Sequence, residues 1–571
     1  MEKWVVTAKK ADFQEIGVRY RIDPVIARII RNRDIVGDEA IDQYLNGKLA
    51  DIPSWKSLKD IEKGTEIISK KIREGARIRI IGDYDIDGVT ATYILLKGLK
   101  RLGADVDTYI PDRITDGYGI HEPLILKAKE DGIDTIVTCD NGISASAEIK
   151  MAKDLGLTVV VTDHHEVPFK DTEQGRVYIV PEADAVINPK QADCSYPNKN
   201  ICGAVVAMKL VFSLYEKFEI PEVEKEEFLE PAAIATVGDV MDLQGENRIL
   251  VKEGLARLPH TQNKGLKALI RAIGLEDKEI TSYDIGFRLG PCINASGRID
   301  TAMRSLALLQ AEDEEEAARL AGDLKALNDS RKALTEKGME EAFELIESSS
   351  LKEDKVLVVF LPECHESLAG IIAGRVREKY HKPAFVLTRG EQMVKGSGRS
   401  IEVYSMYEEL VKCDDLLEVY GGHPMAAGLS LKEENVELFR RRLNENCMLT
   451  KEDLIEKIII DVPMPISYVN ENLIRQLSVL EPFGKGNGKP LFAQKNLRVL
   501  KVEIYGKTLN TAKVQLMDPS GTVMDGMYWG DVKTFADFAR AHNTISVTYY
   551  PRINSYMGRE SLQIVIQNYC A

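Results

Sequence analysis

Four short apolar runs between Arg77 and Thr162 do most to limit what this chain can become. They read RIRII (Arg77–Ile81), VDTYI (Val106–Ile110), TIVTC (Thr135–Cys139) and TVVVT (Thr158–Thr162). Amphipathic stretches of helical length precede and separate them: Ile61–Glu74, Val89–Leu102, Glu122–Glu130 and Ser144–Leu155. Near-continuous apolar strands alternating with amphipathic helices predict an α/β fold with a doubly wound parallel sheet covered on both faces. In such sheets ligands bind beyond the carboxyl ends of the strands.

Three of those strand ends carry acids. The first continues as IIGDYDIDG, with Asp83, Asp85 and Asp87 at alternate positions. In an extended chain that spacing puts three carboxylates on one side. Clustered carboxylates repel one another and resist desolvation, so the arrangement calls for a cation; the alternative is a solvated acidic turn. The next end is IVTCDNG, with Asp140, and the third is VVVTDHHE, with Asp163, His164 and His165. The chain thus uses two of its eight histidines side by side behind an aspartate. Farther on, ATVGDVMDL places Asp239 after a helical apolar run, where it could close the cluster. Imidazole mixed with carboxylates suits manganese, zinc or iron, and oxygen-rich sites also accept magnesium.

Composition narrows the setting. A chain of 571 residues should hold about three or four domains. No apolar stretch approaches the roughly 20 residues needed to span a bilayer, so no membrane is expected. The N-terminus, MEKWVVTAKKADFQ, lacks the apolar core of a signal peptide. Eight cysteines without a CxxC pair argue against a zinc ribbon or a disulfide framework and fit a reducing cytoplasm. The formal net charge of −15 excludes coating of nucleic acid by bulk positive charge, while leaving a local basic groove open.

The rest of the chain divides by pattern. Residues 1–55 read as a small helical lead-in and residues 56–300 as the main α/β domain. Residues 301–350 form a charged connecting helix, with Leu320, Leu324, Leu327 and Leu334 at helical spacing and no assigned chemistry. Residues 351–450 form a second, smaller α/β unit: strand Lys355–Phe360, helix Leu368–Tyr380 and strand Ala384–Leu387. KGSGRS (Lys395–Ser400) and GGH (Gly421–His423) follow in glycine-rich connections, where backbone N–H groups, Ser397 and Arg399 could hold an anion. Residues 451–571 are β-rich with short turns, the pattern of a small barrel. Tyr528, Trp529, Tyr549, Tyr550 and Tyr556 there are candidate stacking platforms. Arg113 and Tyr118, in PDRITDGYGIH, lie just after a strand, where they could pair with a phosphate and stack on a base.

DYDIDG, DNG, DHH and GDVMDL, in this order, resemble the successive motifs of the DHH phosphoesterase superfamily. The likeness is close to the RecJ family of single-strand-specific 5′-to-3′ exonucleases. It extends through RLGPCINASGR, KGSGRS, GGHPMAAG and PFGKGNGKP, and so over nearly the whole chain. The resemblance implies DHH, DHHA1 and OB-fold domains and a site for two divalent cations, manganese foremost and magnesium admitted. Carried over by motif, the metal ligands are Asp85, Asp87, Asp140, His164 and Asp239, with Asp83 a further ligand or an acid behind them. Asp163 orients a histidine, His165 faces the phosphate or completes a metal's coordination, and Arg298 and His423 join the catalytic set. Arg113, Tyr118, Ser397 and Arg399 hold the substrate. The implied activity is two-metal hydrolysis of single-stranded DNA to 5′ mononucleotides in repair and recombination. Implied partners are a single-stranded-DNA-binding protein and a helicase, with the enzyme itself a monomer. Two alternatives stand beside it: a phosphodiesterase for short oligonucleotides or cyclic dinucleotides, and a non-catalytic DNA-binding relative. One departure bears on them, because Cys292 stands where the family usually has arginine; Arg288 or Arg298 would have to compensate.

Overall fold

The computed structural model describes residues 2–113, 116–117, 119–172, 175–506, 508–556 and 558–571. The chain forms two compact units. One comprises Pro53–Met241 and Glu253–Glu456; the other comprises Glu2–Ile52, Asp242–Lys252 and Lys457–Ala571. Among the described residues no helix is long and apolar enough to cross a membrane.

The first unit begins with a five-stranded, all-parallel sheet. Its order is Asp105–Tyr109, Arg77–Ile81, Thr135–Cys139, Thr158–Thr162 and Ala185–Ile187. The two central runs after Arg77–Ile81 are buried almost throughout, as β-branched strands covered on both faces must be. The short fifth strand, Ala185–Ile187, was not expected from pattern. The helix after DYDIDG also starts earlier than periodicity suggests, at Ile86. Its cap is Asp85, whose carboxylate accepts from the Asp87 and Gly88 amides at 2.9 and 3.1 Å. The acid triplet is therefore not one extended run. Asp83 follows the strand, Asp85 caps the helix, and Asp87 lies in its first turn.

Helices lead from this sheet to the 35-residue helix Glu314–Ser348. Leu320 and Leu324 are buried on its inner face, whereas Leu334 is exposed. The second sheet of this unit has the order Leu417–His423, Ala426–Leu431, Val394–Arg399, Ala384–Arg389 and Leu357–Phe360. Here the structure corrects the expectation of glycine-rich connections, because GSGR lies within a strand and GGH at the end of another. The glycines are there for room. A Cβ on Gly396 would lie 2.4 Å from Leu387, and one on Gly398 2.6 Å from the Phe385 ring.

In the second unit five strands close into a barrel. Phe492–Tyr505 pairs with both Thr511–Met517 and Thr544–Tyr556, and Val523–Tyr528 runs parallel to Arg559–Cys570. The N-terminal segment opens with a strand, Glu2–Val6, rather than a helix. Its helices pack Ile26, Ile29, Ile30 and Tyr44 into one core with Leu473, Leu477, Phe492 and Tyr549. The buried Arg248 guanidinium donates to the carbonyls of Tyr44, Leu480 and Val479. Of the aromatic candidates, Tyr549 is fully buried and cannot stack on a base. Tyr528 packs on Phe535 and Tyr569. Trp529 stays exposed beneath Arg552, and Tyr550 is half-buried beneath Lys489. The Tyr556 side chain lies outside what the structure describes.

Because Phe385 and Met406 both press on Gly398, Gly398→Ala should destabilise the protein by about 1–3 kcal/mol. Thermal or urea unfolding of the full chain checks this, and an unchanged transition would contradict it.

Candidate metal centre

The parallel sheet delivers its acids to one edge. His164 Nε2 lies 3.0 Å from Asp140 Oδ1, 3.5 Å from Asp87 Oδ2 and 3.6 Å from Asp239 Oδ2. Three groups bring their ligand atoms within 4.8 Å of one another: Asp140, His164 and His165; Asp87, His164 and Asp239; and Asp83, Asp85 and Asp140. His164 and Asp140 each belong to two groups, so the groups are continuous. All six expected ligands and His165 thus converge, although they come from four separate segments.

The backbone is bent to achieve this. Asp140 has φ 61° and Val240, directly after Asp239, has φ 56°. The left-handed region is tolerable for Asp but strained for a β-branched residue, and such strain gathers at functional sites. Asn141 anchors the second strand end, donating to the carbonyls of Ile81 at 3.1 Å and Cys139 at 2.9 Å.

The cluster is electrostatically uncomfortable without a cation. Burial, and then the charges of Asp87, Asp85 and Asp83, hold the Asp140 carboxyl well above its ordinary range. Burial and Asp85 raise Asp83 in the same sense, and burial and Asp87 raise Asp85. Asp239 is pushed up to about 8 by burial and by Asp87 and Asp85. Burial lowers the pKa of His164 and so favours the neutral, ligating form of its ring. Among the described residues, both ring nitrogens of His164, Asp83 Oδ1 and Asp239 Oδ2 are buried without a hydrogen-bond partner. Buried polar atoms left in that state fit divalent cations taking oxygen and imidazole ligands.

Asp163 plays a different part. Its carboxylate accepts from the Ile143, His164 and His165 amides and stands 2.8 Å from His165 Nδ1. Burial opposes the charge of both groups, yet their hydrogen bond and attraction win. Asp163 falls to about 2 and His165 rises to about 9.

Three supporting residues escaped sequence reasoning. Gly203 begins the helix Gly203–Lys217, and its amide and that of Ala204 donate to Asp87 at 2.6 and 2.8 Å. A Cβ on Gly203 would lie 2.8 Å from Asp140, so only glycine lets this positive helix end reach the acids. Asn294 Oδ1 accepts from the Ile86 amide at 2.8 Å. Gly297 presses on the Tyr84 carbonyl, which a Cβ would approach to 2.2 Å. GPCINASGR thus braces the DYDIDG loop. Neither CGAVV nor INASG carries a charge that would have marked the role.

Cations gather beside the acids. Arg113 lies 4.9 Å over the Tyr84 ring. Arg298 donates to the Ser367 carbonyl at 3.0 Å, joining the two α/β halves of this unit. Its pKa is pushed down to about 10 by burial and by the like charges of Arg113, Arg331 and Arg399, with Asp85 opposing. Arg399 lies against Gly370, at the start of helix Ala369–Tyr380, while Ser397 is half-buried two residues earlier on the same strand. His423 stands exposed at the end of its edge strand and joins none of the three acid–histidine groups. Tyr118 lies outside the described residues.

Family models match three stretches: the DHH family N-terminal domain over residues 77–236, the DHHA1 domain over 353–448 and the RecJ OB domain over 460–568. The single-stranded-DNA-specific exonuclease RecJ of Escherichia coli (strain K12) is 33% identical over 570 residues, covering 96% of both chains. The chain belongs to the RecJ family. RecJ of Bacillus subtilis (strain 168) is 34% identical over 99% of this chain and 70% of its own. The crystal structure of RecJ from Thermus thermophilus in complex with Mn2+ has a TM-score of 0.82 at 28% identity, covering 100% of this chain and 79% of that one. The same RecJ protein in complex with Mg2+ has a TM-score of 0.79.

Two outcomes follow from the geometry. Asp163→Asn removes the charge that holds His165 and should lower Mn2+ affinity about 10–100-fold by calorimetric titration; unchanged affinity would contradict the assigned role. Asp239 gives a pH signature. A carboxyl raised to about 8 favours folding fully only below the ordinary value of about 4. That contribution is lost as pH climbs towards about 8. In EDTA, Asp239→Asn should therefore melt above the parent by a margin that widens from about pH 5 to about pH 8. Saturating Mn2+ should shrink or reverse the margin, and a margin independent of pH would refute the crowding.

Proposed function

We propose that this chain is a metal-dependent exonuclease that hydrolyses single-stranded DNA from its 5′ end to 5′ mononucleotides. The observation that carries the reading is the convergence of five aspartates and two histidines on one sheet edge, with a group of arginines beside them. Near-full-length relationship to proteins named as single-stranded-DNA-specific exonucleases supports it.

Asp83, Asp85, Asp87, Asp140, His164 and Asp239 would hold two divalent cations, Mn2+ foremost and Mg2+ admitted. Cations so placed supply Lewis-acid stabilisation of phosphoryl oxygens and make water more acidic. The protein's own part is positioning. Asp163 fixes the His165 ring so that Nε2 faces the phosphate. The Gly203 helix end and Asn294 keep Asp87 and Ile86 in register. Arg298 and Arg113 supply forked donors to the strand's phosphates, with Ser397 and Arg399 taking the terminal one at the start of helix Ala369–Tyr380. His423 serves from the second α/β half, and Tyr118 stacks on a base. In the barrel, Trp529 beneath Arg552 is the aromatic best placed for a base. Residues 1–55, 56–300, 301–350, 351–450 and 451–571 are the corresponding functional segments. The reading extends to a cytoplasmic monomer that meets a single-stranded-DNA-binding protein and a helicase during repair and recombination.

Digestion of a 3′-labelled single-stranded oligonucleotide with Mn2+ tests this. Wild type should shorten the strand progressively from the 5′ end, and Asp140→Ala should lose at least about 100-fold of that rate. Cleavage restricted to dinucleotides, or binding without cleavage, would overturn the proposal.

A further inference from the structure

The helix Glu314–Ser348 connects the two α/β halves of the first unit, and its sequence suggests only a solvated strut. Asn328 does not fit that description. It is 2% exposed at mid-helix, and a buried amide needs partners for both its ends. Its Nδ2 lies 3.5 Å from Cys292 Sγ, while its Oδ1 accepts from Arg331 Nε at 3.2 Å and Nη2 at 3.0 Å. The Cys292 thiol in turn donates to the Arg288 carbonyl at 3.3 Å. A continuous relay therefore runs from the Arg288 backbone through thiol and amide to the Arg331 guanidinium. The amide cannot flip without facing its own donors towards the guanidinium, so the orientation of Arg331 is fixed.

Arg331 is half-buried, and among the described residues it forms no ion pair. Its bonded partner is a neutral carbonyl, which leaves its other Nη group for a ligand. It belongs to the cationic group described above, since its charge and those of Arg113 and Arg399 all act against that of Arg298. Arginine charges gathered at partly buried positions require an anion in the same way that the neighbouring acids require cations. Arg288, the other arginine of this turn, is already committed to Asp284 and the Ile273 carbonyl. It cannot stand in for an arginine at position 292.

We propose that Arg331, aimed by the Asn328–Cys292 relay, binds a phosphate of the DNA strand, so that the connecting helix forms part of the substrate track. The inference rests on the exonuclease reading for its ligand. It also explains how a chain with a thiol at position 292 keeps its grip on DNA: the cation comes from the adjacent helix, and the thiol orients it.

The test is anisotropy of a fluorescein-labelled oligothymidylate on the full chain, in an Asp140→Ala background, across a salt titration. Arg331→Ala should weaken binding about tenfold and flatten the log–log salt slope by about 0.7, the share of one single-strand phosphate. Arg331→Lys should keep the slope while recovering only part of the affinity, because a point charge lacks the fork. Strands with 5′-phosphate and 5′-hydroxyl ends locate the contact. Equal losses place it on an internal phosphate, and a loss confined to the phosphorylated strand places it on the terminal one; either supports the proposal. Arg331→Ala binding with the parent's affinity and slope overturns it, as does an affinity loss in both variants accompanied by a lowered melting temperature. Mn2+-dependent digestion by the chain with Asp140 intact is scored separately. If that chain cleaves and Arg331→Ala binds normally, only the present proposal falls. If it binds without cleaving, the exonuclease reading falls and the salt slope still decides the role of Arg331.

Discussion

Mutual repulsion among Asp83, Asp85, Asp140 and Asp239 is the constraint that the first unit is built to contain. Each sits in a buried or partly buried position where neighbouring carboxylates, Asp87 foremost, raise its proton affinity. Hydrophobic packing cannot relieve this, because the charges cannot move apart without breaking the sheet that carries them. Surrounding features share the strain. The helix end at Gly203 offers two amides to Asp87, Asp85 caps its own helix, and Asn294 holds the loop between them. The left-handed backbone at Asp140 and Val240 is a further cost that only an over-determined setting sustains.

How much of this the sequence reveals depends on the range of the interaction. The parallel sheet and the convergence of its acids were legible because both rest on local periodicity and one topological rule, that sites form beyond strand ends. DHH gave its division of labour less readily, since the fact that Asp163 holds His165 depends on which carboxylate turns inward. Gly203 and Gly297 were not legible, because their importance lies in the approach of segments distant in sequence, those of Asp140 and Tyr84 respectively, to their bare Cα. The same reason explains the error at GSGRS and GGH. Glycine suggests a turn when read along the chain, but here Phe385 and Leu387 on the neighbouring strand demand it.

The aromatic residues of the barrel illustrate the opposite failure. Composition offered five platforms, and burial withdrew Tyr549, while packing on Phe535 and Tyr569 engaged Tyr528. Large aromatic side chains contribute most where they are desolvated, so a small barrel takes several for its core before any face solvent. Exposed aromatics beside arginine, as at Trp529 and Arg552, are what remains at the surface.

The two charge clusters of the first unit solve complementary problems with similar means. Acids crowd at the sheet edge and arginines crowd beside them, yet at Arg298 burial and the charges of Arg113 and Arg331 outweigh the opposing charge of Asp85. Had the two groups paired with each other, both would have been neutralised and neither could take a ligand. Instead three of the arginines are tied to neutral acceptors: Arg298 to the Ser367 carbonyl, Arg399 to that of Gly398, and Arg331 to the Asn328 amide. Neutral tethers fix direction while leaving charge uncompensated. In the proposed function, a phosphodiester with its metals is the ligand that meets both needs.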